Sequence, residues 1–438
     1  MRRLGFKACC TILHLFLLAI VSICASELKI QEVLCIVIPI ILLYCDYYAQ
    51  KRFFTLFNIF IIVLCIFHYG EFWLDLFGIP IDTSSGHDIF LIYDDRSIVK
   101  ALSFSLSSLV VLNCSAILFL NKTTEYNISS TDTTDYGISK IIFFLLLPLM
   151  IYNDLSRIVL TQTFSYSEAV YMTTFLSRFE ICFVISGLFL ILRKNVFSKY
   201  IFGFFVCRAI ILMIFTGSRI GMILELILFL FVFTINTKLS LKKVFILGLF
   251  SYVCLILIGY VKSTRGTFGI PFGEYISQGG FISSQLSEFG STMETLILAI
   301  SYDKIVGGLS GMTYLAAILT IIPFSTKIFP FIVKYRVAHD FLNPFAPSVG
   351  ALGGSFFAEQ YLNFGHAGIV LSILFGVLFA KLQNSIYKQN KPFNAIICIA
   401  LFYGVIIYSR ANMYDFIATV CGVIYYVVFY WIIKLLKR

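Results

Sequence analysis

The chain has 438 residues, of which 59% are hydrophobic and 13% charged, with a formal net charge of +10 and a mean hydropathy of +0.93. Soluble globular chains carry about 25% charged residues. So little polar side chain cannot cover a water-facing surface, which excludes a water-soluble fold and leaves lipid as the solvent.

Twelve apolar stretches reach or approach the ~20 residues a helix needs to cross roughly 30 Å of hydrocarbon. They cover 8–25, 30–48, 53–74, 98–120, 140–160, 174–192, 200–216, 219–236, 244–261, 361–380, 394–409 and 415–433. They are solidly apolar and lack the ten-residue alternation of a membrane barrel, so the predicted fold is all-α and polytopic. The first stretch has the basic start and apolar core of a signal peptide, ending at Ile23-Cys24-Ala25. Bulky Ile23 at a position that wants a small residue argues for an uncleaved anchor. Three regions follow in chain order: spans one to nine over 1–261, a large loop over 262–360, and spans ten to twelve over 361–438.

The basic residues fix the orientation. With Arg2, Arg3 and Lys7 on the cytoplasmic side, alternate connections carry Lys51-Arg52, Lys122 with Lys140, Arg193-Lys194-Lys199, Lys238-Lys242-Lys243, Lys381-Lys388-Lys391 and Lys434-Lys437-Arg438. About 19 of the 33 cationic residues thus fall on one side, which is the positive-inside pattern for an even number of crossings with both termini cytoplasmic. The basic excess is therefore topological, and nucleic acid is not an expected partner.

The loop at 262–360 is rich in Gly, Ser and aromatic residues. Its semi-apolar stretches 295–301 and 312–324 are too short to span and suit interfacial or re-entrant helices. The 12 cysteines lie mostly inside apolar runs, without a CxxC pair, and read as small buried hydrophobes. Asp-x-Asp, HxH, HxxxH, Gly-x-Gly-x-x-Gly and P-loop patterns are absent, so neither a metal nor another cofactor is expected.

Four arginines stand on the outer side, against the topological trend: Arg219 in Thr216-Gly217-Ser218-Arg219, Arg265 in Ser263-Thr264-Arg265-Gly266, Arg336 in the loop, and Arg410 in Tyr408-Ser409-Arg410-Ala411-Asn412. Guanidinium groups match phosphate oxygens bidentately, and several near one face would hold a diphosphate. Snorkelling to the interface is the alternative for each. His339, Asp340 and Glu359 are candidate bases, with Glu288 and Glu294 behind them, and Tyr361 is a candidate platform for a sugar ring. Arg208 and Glu225 lie at similar depths on adjacent helices and are expected to form a buried ion pair. Asp154 with Arg157, and Asp46 with Lys51, read as helix-end charges.

The Thr216–Arg219 turn, Glu288-Phe289-Gly290, the stretch from Gly307 to Pro323, and Gly353-Gly354-Ser355 through Glu359, Tyr361, Asn363, Phe364 and Gly365, taken with the topology, resemble the Wzy-type O-antigen polymerases. The resemblance implies a GT-C-like helical glycosyltransferase of the bacterial inner membrane that needs no metal and acts at the periplasmic face. It further implies an undecaprenyl-diphosphate-linked glycan as donor, a lipid-linked repeat unit as acceptor, and a Wzz-type chain-length regulator as partner. The His-Asn or His-Ser dipeptide of the related O-antigen ligases is not found. A ligase, and a flippase for lipid-linked oligosaccharide, are the competing readings. The flippase would favour internal repeats and midplane sites, whereas the unusual residues here cluster at the outer face.

Overall fold

A computed structural model describes residues 2–81, 88–123, 133–163, 179–193, 195–216, 220–235, 280–302, 309–346, 352–388 and 392–437, with isolated positions between 242 and 249. Among the described residues every regular element is a helix. The long ones are α1 (Arg2–Ile23), α2 (Leu28–Gln50), α3 (Leu56–Leu76), α4 (Asp95–Phe119), α5 (Thr133–Thr163), α6 (Glu180–Leu192), α7 (Val196–Thr216) and α8 (Ile220–Thr234). They continue with α9 (Gly280–Gly290), α10 (Thr292–Ser301), α11 (Met312–Leu319), α12 (Phe356–Phe364), α13 (Ile369–Ile386), α14 (Pro392–Tyr408) and α15 (Met413–Leu436). Eight segments are long and apolar enough to cross a membrane, with α12 and α13 counting as one. The predicted spans 174–192, 219–236 and 394–409 appear as the shorter apolar helices α6, α8 and α14. Span 244–261 lies almost wholly outside the described residues. The chain is an all-α, multi-pass membrane protein.

Helices start where side chains accept the first N–H groups. Thr55 accepts from Asn58 at α3, Asp94 from Ser97 at α4, and Ser355 from Ala358 at α12. Within the spans, several hydroxyls return to carbonyls three or four residues back, as Ser115 does to Leu112 and Thr216 to Leu212. A hydroxyl in hydrocarbon would otherwise stand unsatisfied.

The chain forms two compact units. The first comprises 1–123, 270–384 and 408–417. Here glycines let helices touch. A Cβ on Gly70 would lie 2.5 Å from the Leu286 carbonyl oxygen, and one on Gly290 would lie 2.5 Å from the Glu71 nitrogen, so α3 and α9 meet backbone to backbone. Gly376 of α13 does the same against α4, where a Cβ would fall 2.0 Å from Ser115 Oγ and 2.2 Å from the Leu112 oxygen. Small residues at such crossings are how membrane helices gain packing contact. Asp46 is not a helix-end charge. It is fully buried and accepts from Asn113 Nδ2 at 2.8 Å, while Asn113 Oδ1 meets His14 Nε2 at 2.9 Å. In α10, Thr292–Ile300 is buried throughout. By contrast Leu315 and Ile318 of α11, and Ile321 and Ile322 just after it, are exposed.

The second unit comprises 124–269, 385–407 and 418–438. Its centre is ionic. Arg208 Nη1 donates to both Glu225 oxygens at 3.0 Å, as expected, but Nε and Nη2 also hold Asp154 at 2.7 and 3.0 Å, and Nη2 holds Glu180 at 2.6 Å. Arg157 reaches the other Glu180 oxygen at 2.9 Å. Asp154 and Arg157 are therefore parts of a five-residue cluster on four helices, with Arg208 and Glu225 buried and the other three half-buried, not ordinary end charges. All eleven described cysteines are free thiols.

Three substitutions test this packing. Gly376→Ala should lower stability by about 1–3 kcal/mol, the usual cost of overpacking, because the obstructing atoms include backbone. Gly203→Ala, with open space around its Cβ, should be neutral or slightly stabilising. Arg208→Met strands Asp154 and Glu225, leaves Glu180 to Arg157 alone, and should cost on the order of 3–5 kcal/mol. Thermal unfolding of the purified variants in detergent checks all three, and equal melting points for Gly376→Ala and Gly203→Ala would contradict the packing argument.

Candidate functional site

In the first unit, a single stretch from Tyr408 to Asp415, the turn that opens α15, meets or carries four of the candidate residues. Its geometry follows from the needs of a helix start. Asn412 precedes α15 and Asp415 stands three residues on, the spacing of a capping box. The Asp415 carboxylate accepts from the Asn412 N–H at 3.0 Å. Glu359, from α12, accepts the next orphan donor, the Met413 N–H, at 2.7 Å. Its other oxygen takes the Thr313 hydroxyl at 2.8 Å. Asn363 locks this arrangement by donating to Thr313 Oγ1 and to the Glu359 carbonyl, both at 2.8 Å. Glu359 is 1% exposed. It lies at the positive end of α15, with both carboxylate oxygens engaged.

The Asn412 side chain, released from capping, turns to the loop. Its Oδ1 accepts the Ala338 N–H at 3.2 Å, and its Nδ2 faces His339 Nδ1 at 3.4 Å. The first contact fixes which way the amide points, so the second makes Nδ1 an acceptor and leaves the ring proton on Nε2. Nε2 lies 4.0 Å from Asp340 Oδ1. Burial pushes His339 below the ordinary histidine range, while Asp340, Asn412 and Asp415 pull the other way. Asp340 itself is 58% exposed and accepts from Asn343 Nδ2 at 3.2 Å.

Two of the four arginines are described, and both rest on rings. Arg410 lies over Phe67 at 5.4 Å and Phe289 at 6.0 Å, and Arg336 over Tyr414 at 5.8 Å. Such contacts hold a guanidinium through its flat face. Arg219 and Arg265 lie outside the described residues. Gly354 is where the loop joins the turn, since a Cβ there would lie 2.5–2.8 Å from Ala411 backbone atoms. The Gly353-Gly354-Ser355 motif thus brings backbone to backbone, and the Gly353 carbonyl accepts the Thr295 hydroxyl at 2.8 Å.

Other candidates fall elsewhere. Tyr361 is no open platform: it is 3% exposed and packed edge-on against Phe104. Glu294 is buried and accepts the Tyr93 hydroxyl at 3.2 Å. Glu288 lies on α9, next to the Phe289 that supports Arg410. Sequence reasoning passed over Thr313, Asn412 and Tyr414 as site residues. Only Asn412 carried a readable signal, the Asn-x-x-Asp spacing ahead of an apolar run. It also passed over His68, which reaches Ser355 Oγ at 2.9 Å and supports α12 from α3.

The histidine geometry carries a pH dependence. The unfolded imidazole titrates near 6.5, and the folded one lower. Below pH 6.5 the unfolded chain therefore binds a proton that the folded chain does not, and stability falls as pH drops toward the folded value; above 6.5 the effect vanishes. His339→Gln should remove this part of the acid slope in melting curves between pH 7 and 5, and an unchanged slope would show that the ring is not held neutral. Among known proteins, no curated protein and no solved structure matches the chain. A family model, the O-antigen polysaccharide polymerase Wzy, matches residues 6–438. With nearly every residue inside that match, on an all-helical membrane fold, the chain belongs to the O-antigen polysaccharide polymerase Wzy family.

Proposed function

We propose that the chain lengthens O-antigen in the bacterial inner membrane by transferring the growing glycan from undecaprenyl diphosphate to an incoming lipid-linked repeat unit at the periplasmic face. Both termini are cytoplasmic on this reading, as the distribution of lysine and arginine supports. The observation that carries the chemistry is the 408–415 turn, which ties Glu359, His339 and Arg336 to the segment that bears Arg410.

In the proposed reaction a hydroxyl of the acceptor sugar attacks the anomeric carbon of the donor's reducing-end sugar. The carbon–oxygen bond to the diphosphate breaks, and the lipid diphosphate departs with the bonding pair. Charge grows on that leaving group in the transition state, and fixed cations lower the barrier. Arg410 and Arg336 supply them, and by sequence Arg219 and Arg265 belong to the same set, so the protein needs no metal for this role. The acceptor proton goes to Asp340, the exposed carboxylate of the three candidates. His339 acts beside it as a neutral donor through Nε2. Glu359 holds the frame, since its oxygens are committed to Thr313 and Met413. A Wzz-type chain-length regulator is the proposed protein partner.

Purified protein given lipid-linked repeat units should build a ladder of polymer. Arg410→Ala should slow chain growth by on the order of 10²-fold, as removal of one stabilising donor does elsewhere, and Asp340→Asn by about 10²–10⁴-fold, the usual worth of a general base. In cells, deletion should leave lipopolysaccharide carrying a single repeat unit. Bare core would instead indicate a flippase or a ligase, and full polymer from Arg410→Ala together with Arg219→Ala would refute the diphosphate assignment.

A further inference from the structure

A polar chain runs through the interior of the first unit where α1, α2 and α4 meet. His14 of α1 places Nδ1 2.5 Å from the Cys10 carbonyl oxygen and Nε2 2.9 Å from Asn113 Oδ1 of α4. The other end of the Asn113 amide, Nδ2, lies 2.8 Å from Asp46 Oδ2 of α2. His14 is 1% exposed, and Asn113 and Asp46 are fully buried. All three stand inside helices long and apolar enough to cross a membrane, where ionisable side chains are costly to hold. None of them belongs to the 408–415 turn, and the proposed reaction uses none of them.

Counting hydrogens along this chain fixes its protonation. A carbonyl oxygen only accepts, so His14 Nδ1 carries a proton. A side-chain amide donates at one end and accepts at the other. With Nδ2 toward Asp46, Oδ1 faces His14 Nε2, which must then carry a proton as well; the ring is an imidazolium and Asp46 a carboxylate. With the amide turned over, Nδ2 donates to a bare Nε2, and Oδ1 must accept from Asp46, which is then a carboxylic acid. In either arrangement His14 and Asp46 together hold one proton more than a neutral imidazole and a carboxylate would. Without it, two acceptors face each other at 2.8 or 2.9 Å whichever way the amide lies.

Burial demands the same proton. Asp46 Oδ1 has no hydrogen-bond partner among the described residues. The titratable neighbours are the thiols of Cys10 on α1 and Cys45 on α2, which pair with each other. Lys7 of α1 gives its ammonium to the Leu118 carbonyl. A carboxylate beside a neutral imidazole would thus be a lone anion in a low-dielectric interior, a far costlier state than a hydrogen-bonded pair of opposite charges or a neutral pair.

We infer that His14, Asn113 and Asp46 form a binding site for a single proton, which clamps α1 to α4 and α4 to α2. The site lies one helical turn from the Gln50 end of α2. The three contacts require the proton whatever reaction the chain performs.

The test uses the full chain with isotope-labelled histidine in lipid nanodiscs at about pH 8.5, where a free imidazole is neutral and a free carboxyl ionised. Nitrogen NMR reads whether the His14 ring carries one proton or two, its signal identified by its loss in His14→Gln. Infrared spectroscopy reads whether Asp46 is a carboxylic acid, its band identified by difference against Asp46→Asn. The expected result is either an imidazolium with a carboxylate or a neutral imidazole with a carboxylic acid, one shared proton in both cases. In Asp46→Asn the new amide supplies the missing hydrogen, so His14 should be neutral. If His14→Gln does not fold, the signal is identified through its contact with carbonyl-labelled Cys10; if Asp46→Asn does not fold, Asp46→Glu serves to move the band. A neutral His14 together with an ionised Asp46 would overturn the site. So would an imidazolium beside a carboxylic acid, or an imidazolium that persists in Asp46→Asn.

Discussion

A helix that begins inside protein, away from water, must find acceptors for its first N–H groups, and the start of α15 is where that requirement shapes this molecule. Two carboxylates meet it: Asp415 from within the helix and Glu359 from α12. An anion in this position also gains from the helix dipole, by up to about 2 kcal/mol when partly buried. The consequence reaches further than one helix. Because Asp415 and Glu359 serve the backbone, the Asn412 amide is spared that duty and crosses to the loop, where it holds Ala338 and orients His339. Gly354 against Ala411 closes the same junction at van der Waals contact. A local rule about helix ends thus becomes the register between the loop and the last span.

Charge is used in two contrasting ways. In the second unit Arg208 is saturated: three carboxylates engage its Nε, Nη1 and Nη2 at 2.6–3.0 Å. Such a cluster repays its desolvation only if every donor is satisfied, and Arg208 has no donor capacity left for a ligand. It fastens α5, α6, α7 and α8 together where hydrophobic burial offers little, since lipid is as apolar as the helices. Arg410 and Arg336 instead lie over rings. A ring binds a guanidinium by its face, whereas a phosphate binds it by its N–H edges. The same residue type is a rivet in one unit and rests on aromatic rings in the other, where the proposed reading gives it the diphosphate.

Much of the fold was legible because hydrocarbon thickness imposes a length on apolar runs; eight predicted spans appear at full length and three more as shorter apolar helices. The Arg208–Glu225 pair was legible too, because two charges flanking one turn at equal depth have little choice. What escaped has one cause. Helical periodicity tells which residues share a face but not which distant helix that face meets. Asp154 and Arg157 looked like end charges until Glu180, Arg208 and Glu225 came to surround them. Asp46 finds its partner in Asn113, 67 residues on. Tyr361, a plausible sugar platform by type, is consumed by Phe104. At the site, Glu359, His339, Arg336 and Arg410 were each singled out by residue type and context, but that one turn joins them depends on Asn412 and Met413, whose roles belong to the backbone and leave almost no trace in composition.

The same logic divides the candidate bases by what each can still do. A carboxylate that is 1% exposed and already accepts from a hydroxyl and a helix N–H cannot take a substrate proton without surrendering the start of α15, so catalysis through Glu359 would loosen the frame at every turnover. Asp340 bears no such load: it sits at the surface of a short 3-10 turn, tethered to Asn343, with the imidazole of His339 nearby. On the proposed reading, holding and reacting are therefore assigned to different carboxylates, and the histidine between them couples the two. Its Nδ1 is bound to the frame through Asn412, and its Nε2 is turned toward the reacting side. A change that disturbs Glu359 would then reach the chemistry through backbone register, while a change at Asp340 would stop the chemistry and leave the fold standing.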